Sequence, residues 1–205
     1  MVKRSTLVLF LIVIIFVMLL GNFRTYLVLG ASDLPTFQSG DKVIINRSAY
    51  DVTFPFTSLK IMAWRKPGRG DMVLCNFPAK HNQDYWLKRV VGIPGDTIVI
   101  RKNRIYINQK PLRYEVIEKD GFGLPEYEAV GDILAIESGM GLNHTVAIPN
   151  SENIISNFGP LVVRDDHYFV LGDNRANSLD SRFLGSVSRN EIYGKYLFRI
   201  YRKEQ

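Results

Sequence analysis

The chain has 205 residues, 46% of them hydrophobic and 12% aromatic, and 26 Lys and Arg against 20 Asp and Glu give it a formal charge of +6. That is enough apolar content for one medium domain, or one domain carrying a sizeable insertion, and the many Val and Ile lean towards strands. The basic residues are scattered, with short pairs such as Lys3-Arg4 and Lys88-Arg89, so there is no basic helix and no nucleic-acid motif, and nucleic-acid binding is not expected. A single cysteine, Cys75 in the apolar run MVLCNF, excludes an internal disulfide, argues against a Cys-based zinc site, and reads as a small buried hydrophobe.

The first predicted element is apolar. Ser5 through Phe23 carry no charge and are bracketed by Lys3-Arg4 and Arg24. A helix of that length would rise about 28 Å, close to the roughly 30 Å of a bilayer's hydrocarbon core. A cleavable secretory signal is the rival, but the block is long for one, and its best small-residue exit, VLGAS, has Leu29 where a small side chain is wanted. The expectation is an uncleaved signal anchor over residues 1–24, with the N-terminus cytoplasmic and the rest on the far side of the membrane.

From Lys42 onwards, short apolar runs alternate with Gly, Asp, Asn and Pro, which predicts an all-β domain. KVIINR, DMVLCNF, YWLKRVVGI, DTIVIRKNRIYIN, TVAIPN, HYFVLGD and IYGKYLFRIYR suit strands, and IVIRKNRIYIN reads as a hairpin turning at Lys102-Asn103. FTSLKIMAWRK is expected to form a short helix, with Thr57 or Ser58 as its N-cap. Between residues 98 and 161 the Gly-rich stretches KDGFGLPEYEAVGD and ESGMGLNH break the pattern. We read 98–161 as an inserted smaller β subdomain, interrupting a main β domain formed by 25–97 and 162–205, the part that carries the candidate chemistry below.

Chemistry enters at GASDLPTF, where Ser32 precedes a proline by three positions. A serine hydroxyl needs a positioned base to act as a nucleophile. His81 in AKHNQD, His144 in NHT and His167 in DDH all read as exposed loop or strand-edge residues. The other candidate is Lys88, inside the apolar strand YWLKRVVGI, where alternation puts Trp86, Lys88 and Val90 on one face. Burial lowers a lysine's proton affinity and makes its amine a usable base. A lysine whose stem follows the sheet while its ammonium reaches water has the same sequence, and the segment alone does not separate the two.

Five stretches in order, the apolar N-terminus, GASDLPTFQSGDKVIIN, KPGRGDMVLCNFP, KRVVGIPGD and LGDNRANSLDSRFLG, resemble those of bacterial signal peptidase I, a membrane-anchored serine protease family. The resemblance implies Ser32 as nucleophile, Lys88 as general base, and Ser178 as the hydroxyl that orients the lysine. It also implies Asp180 and Arg182 as electrostatic support, Arg89 and Asp173 as a pair bracing two of the stretches, and Gly30 as a backbone donor near the oxyanion. Its implied partners are the signal peptides of exported preproteins and membrane lipids, with no metal or cofactor. The chain departs from the family pattern at Asp33, where methionine is usual. A carboxylate within about 4–6 Å of Lys88 would stabilise the ammonium form. Because adjacent side chains alternate in extended chain, Asp33 is expected to face solvent or headgroups while Ser32 faces the cleft. Two alternatives remain open: a relative dedicated to one pilin or conjugation substrate, and a non-catalytic assembly factor on the same scaffold.

Overall fold

The stretch Met72–Asn76 (β5) has no polar alternation, and Met72, Val73, Leu74 and Cys75 are all buried. A strand of that composition belongs in the middle of a sheet covered on both faces. In the computed structural model, which describes residues 4–54, 57, 59–77, 85–117, 133–151 and 156–201, it occupies that position. The main sheet has seven strands in the order β1 (Phe23–Leu27), β2 (Lys42–Asn46), β16 (Ile192–Tyr201), β5, β6 (Tyr85–Gly92), β14 (His167–Leu171) and β15 (Val187–Ser188), and neighbouring strands pair antiparallel. Val73, Cys75 and Val90 pack with Tyr50, Tyr168 and Ile192 in one apolar cluster, while Met72, Leu74 and Leu87 pack with Val28, Phe37, Val43 and Ile45 in another.

Two further sheets come from the middle of the chain. One runs β13 (Phe158–Val162), β7 (Thr97–Arg101), β8 (Arg104–Ile107) and β9 (Lys110–Pro111); the other runs β10 (Arg113–Val116), β11 (Ile133–Gly139) and β12 (Leu142–Ile148). The hairpin expected at Lys102-Asn103 is present, and both residues have positive φ, 48° and 62°, as a two-residue turn matching strand twist requires. Ile98, Ile100, Ile105 and Ile107 share a core cluster with Val91, Phe169 and Leu171 of the main sheet. The Gly-rich acidic stretch at 119–132 lies outside the described residues.

Two expectations change. The short helix expected in FTSLKIMAWRK is a strand, β4 (Lys60–Ala63), paired with β3 (Asp51–Thr53). Its single turn of helical periodicity loses to cross-strand pairing, extended when the Trp64 and Arg65 N–H groups both donate to the Tyr50 carbonyl. The N-terminal apolar stretch forms helix α1 (Arg4–Leu20), 17 residues long, rather than the expected Ser5–Phe23. Gly21-Asn22 turns the chain, and Phe23 is already in β1, opposite Asn46. At about 25 Å, α1 falls short of a hydrocarbon core, and among the described residues no helix is long and apolar enough to cross a membrane. The large apolar side chains from Leu7 to Val13 are all exposed.

Candidate active site

Ser32 sits in a turn between β1 and β2, and Lys88 is in the middle of β6. Fifty-six residues apart in sequence, they meet: Lys88 Nζ donates to Ser32 Oγ at 2.6 Å. The lysine is 2% exposed, so the snorkelling alternative does not describe it. The turn is held from outside. The Asn174 N–H donates to the Ser32 carbonyl at 3.0 Å and its side-chain amide to the Ala31 carbonyl at 3.1 Å. Thr36 donates through its hydroxyl to Asp173.

The expected orientation of Asp33 is overturned. Its side chain is 4% exposed and faces the same cleft: Ser32 Oγ donates to Asp33 Oδ2 at 3.0 Å, and that oxygen is 3.7 Å from Lys88 Nζ. Alternation fails because residues 31–36 are not extended. The Leu34 N–H donates to the Ala31 carbonyl and the Phe37 N–H to the Asp33 carbonyl, which curls the segment and brings consecutive side chains to one side. Burial pushes the Asp33 carboxyl up to about 6, offset in part by the nearby Lys88 ammonium.

A cavity of about 260 Å³ opens beside these groups. Ser32, Asp33 and Lys88 form its polar end, and Tyr26, Val28, Leu29, Trp86, Leu87 and Leu179 line the rest. Strand β14 pairs with β6 only between Arg89 and Gly92, so among the described residues Tyr85–Lys88 has a strand partner, β5, on one side alone.

Arg89 and Asp173 form a bidentate pair at 2.8 and 2.6 Å, linking β6 to the loop after β14. The guanidinium holds the buried Asp173 carboxyl below the usual range despite desolvation. Asp180 accepts from Arg182 through both oxygens at 2.9 Å, and from the Gly172 N–H at 3.1 Å, and caps the short helix α2 (Ser181–Leu184). Ser178 lies within the fold of this loop, but its Oγ is buried with no hydrogen-bond partner among the described residues, and the hydrogen bond from Lys88 goes to Ser32 instead. Gly30 has φ of 82° and donates its N–H to Ser39 Oγ at 3.3 Å. Cys75 is buried, as expected, with its thiol pushed up to about 12 by desolvation.

The histidines divide. His81 lies outside the described residues. His167 is partly exposed at the start of β14, with Nδ1 2.8 Å from the Asp165 carbonyl oxygen. His144, expected to be exposed, instead has its side chain only 5% exposed on β12, 3.4 Å from Glu137 and 3.6 Å from Asp173. Burial pushes it down to about 4, so it is neutral at ordinary pH. Sequence reasoning also missed a second ion pair: Glu137 receives two hydrogen bonds from Arg175 at 2.7 Å, joining β11 to the loop that carries Asp173. The polar stretch NHT gave no sign of burial, because the partners that cover His144 come from three separate segments. Among the described residues no cluster of His, Cys, Asp and Glu could hold a metal.

Known proteins align with much of this chain. The chain is 30% identical over 173 residues to signal peptidase I of Pseudomonas aeruginosa, covering 78% of this chain and 58% of that one. It is 30% identical over 194 residues to signal peptidase I S of Bacillus subtilis, covering 93% and 84%. The chain thus spans somewhat over half the length of the Pseudomonas relative. A crystal structure of a signal peptidase I from Enterococcus faecalis matches at 26% identity with a TM-score of 0.40, covering 65% of this chain and 98% of that one. The family described as "Signal peptidase, peptidase S26" matches residues 1–201, and the chain belongs to that family.

Proposed function

We propose that the protein is a membrane-bound serine endopeptidase that removes N-terminal signal peptides from exported preproteins, with Ser32 as nucleophile and Lys88 as general base. The observation that carries this reading is the 2.6 Å contact between Lys88 Nζ and Ser32 Oγ, made by a lysine with almost no access to water. Family membership and the names of the relatives point to the same activity.

The chemistry has two halves. Ser32 Oγ attacks the scissile carbonyl carbon as its proton passes to the Lys88 amine, and the ammonium then protonates the departing amine to leave an acyl-enzyme. Lys88 next takes a proton from water, which attacks the ester and releases the peptide. The backbone N–H of Ser32 is the donor assigned to the developing oxyanion, where a fixed dipole favours charge that appears only in the transition state. Arg89 with Asp173 ties β6 to the loop after β14 beside this point, and Arg182 with Asp180 stiffens the far end of that loop.

A peptide lying as an extended strand along Tyr85–Lys88 would use the side of β6 that β14 leaves unpaired, and place small residues in the adjoining apolar cavity. Helix α1 is proposed as the anchor, since its exposed apolar surface needs a non-aqueous partner. With the bilayer thinned locally around so short a helix, it would place residues 25–97 and 162–205, with the inserted 98–161, on the extracytoplasmic side of the inner membrane, where enzyme and signal peptide share one bilayer.

The test is cleavage of several unrelated preproteins, in detergent or liposomes, by the parent chain, Ser32→Ala and Lys88→Ala. Both variants should lose all measurable cleavage while keeping the parent's circular dichroism. Full cleavage by either one refutes the assignment, and cleavage of a single precursor out of the set points to a dedicated peptidase.

A further inference from the structure

Asp33 stands where the family resemblance places methionine, and its surroundings give it more than a packing role. Lys88 Nζ donates to Ser32 Oγ at 2.6 Å, and Ser32 Oγ donates in turn to Asp33 Oδ2 at 3.0 Å. The hydroxyl is therefore the middle of a three-group chain, and its proton points at the carboxylate, away from the amine that must receive it. In this arrangement the serine is not poised to react.

We propose that Asp33 is a proton store for Lys88: when a bound peptide covers the cavity, one proton shifts along the chain from Lys88 through Ser32 to Asp33, and the site becomes active. The proposal rests on the assignment of Ser32 and Lys88 above. In the step, Nζ gives a proton to Oγ, and Oγ gives its own to Oδ2. Lys88 becomes a neutral amine, Asp33 a neutral acid, and Ser32 keeps one hydrogen, which now points at Nζ. No net charge moves in or out. After product leaves and water returns, the shift runs backwards.

The driving force is desolvation. The two side chains are only 3% and 4% exposed. Covering the cavity removes the remaining water, and an ion pair cut off from water loses ground to its neutral form, because each charge has a solvation cost that the partner's attraction repays only in good geometry. The geometry here is not good. Nζ and Oδ2 are 3.7 Å apart, beyond a direct hydrogen bond, and Asp33 Oδ1 is buried with no partner among the described residues.

The other charged or titratable groups facing Asp33 do not supply a rival proton acceptor. Arg89 on β6 and Asp173 on the loop after β14 are committed to each other. Cys75 on β5 keeps its thiol proton. Burial has already pushed Asp33 up to about 6, in the direction the shift needs.

The test compares the full-length parent, Asp33→Asn and Asp33→Met, each in detergent. A peptide with small residues flanking a reduced scissile bond serves as the occupant for infrared difference spectra, and a cleavable version reports kcat/KM. With the occupant bound, the parent should gain a protonated-carboxyl band that Asp33→Asn lacks. Between about pH 6 and pH 9 the parent's kcat/KM should stay nearly level, since the neutral pair and the ion pair bind the same number of protons. Over the same range both variants should instead fall as pH is lowered, by up to about tenfold per pH unit. Variants faster than the parent near neutral pH, with their acid limb moved to lower pH, would make Asp33 a plain anchor for the ammonium and overturn the proposal. So would profiles of unchanged shape, or the absence of the band. Failure of the underlying assignment shows separately, as full activity in Ser32→Ala or Lys88→Ala, and the infrared measurement decides the protonation of Asp33 in either case.

Discussion

Burying a carboxylate beside the nucleophile has a stability signature that does not depend on turnover. Asp33 is raised from 3.8 to about 6, mainly by desolvation. Because the folded value lies above the unfolded one, the native chain holds a proton at pH 4–6 that the unfolded chain has released. Stability from this group is therefore fully present below the unfolded value and declines as pH rises through the window to about 6. At roughly 1.4 kcal/mol per unit, the shift corresponds to about 3 kcal/mol. Asp33→Asn removes the term. The measurement is urea unfolding of the full chain in detergent, followed by Trp fluorescence, for parent and Asp33→Asn from about pH 3.5 to about pH 6.5. Asp173 and Glu137, held below the usual carboxylate range by Arg89 and Arg175, give stability that is lost on acidification. That contribution is common to both proteins and cancels in the difference. The parent should lose about 3 kcal/mol relative to Asp33→Asn across the range. Parallel curves would refute the claim that Asp33 is desolvated in the folded state.

Two substitutions in the loop after β14 probe how tightly the nucleophile is held. A Cβ added at Gly172 would stand 2.3 Å from both Ser178 Oγ and the Ser32 carbonyl oxygen, so Gly172→Ala must displace the Ser32 turn, and kcat should drop by about a hundredfold with a smaller change in KM. Ser178→Ala removes a buried hydroxyl that has no hydrogen-bond partner among the described residues, so kcat/KM should stay within about threefold of the parent and urea stability should not fall; a hundredfold loss would mean that Ser178 grips Lys88 during the reaction.

The strands were legible because their burial pattern is written in side-chain type: β5 is apolar throughout, and the β7–β8 hairpin is two alternating runs around a turn pair. Where a local signal competed with pairing it misled. FTSLKIMAWRK carries a helix N-cap signal, yet β3 supplies a strand partner that no local pattern records. The end of α1 was misplaced for a related reason: Phe23 is as apolar as its predecessors, and its transfer to β1 depends on Asn46, 23 residues downstream. At the site, Ser32 and Lys88 were found through motif resemblance, whereas Asp33 was misoriented because alternation was assumed across a segment that is a turn. Asn174, Glu137 and Arg175 were not singled out, since their importance lies in contacts between loops distant in sequence.

The contrast between saturated and unsaturated polar groups explains how one small region can be both rigid and reactive. Arg89–Asp173, Arg175–Glu137 and Arg182–Asp180 are each bidentate; the first two join segments that would otherwise move apart, and the third fixes the start of α2 within its own loop. Pairs of this kind add little net stability over an apolar core, but breaking one leaves a buried charge alone, so they fix geometry by making every alternative costly. Within that frame the groups at and behind the cleft are left short of partners: among the described residues nothing bonds the buried Asp33 Oδ1 or Ser178 Oγ, and Lys88 meets its counter-ion at 3.7 Å. A site whose hydrogen bonds were all satisfied at rest would have to break some of them before it could act. Here the frame bears the constraint, and the reacting groups keep unused capacity that a bound peptide's carbonyl, or a relocated proton, can take up without any element of the sheet having to shift.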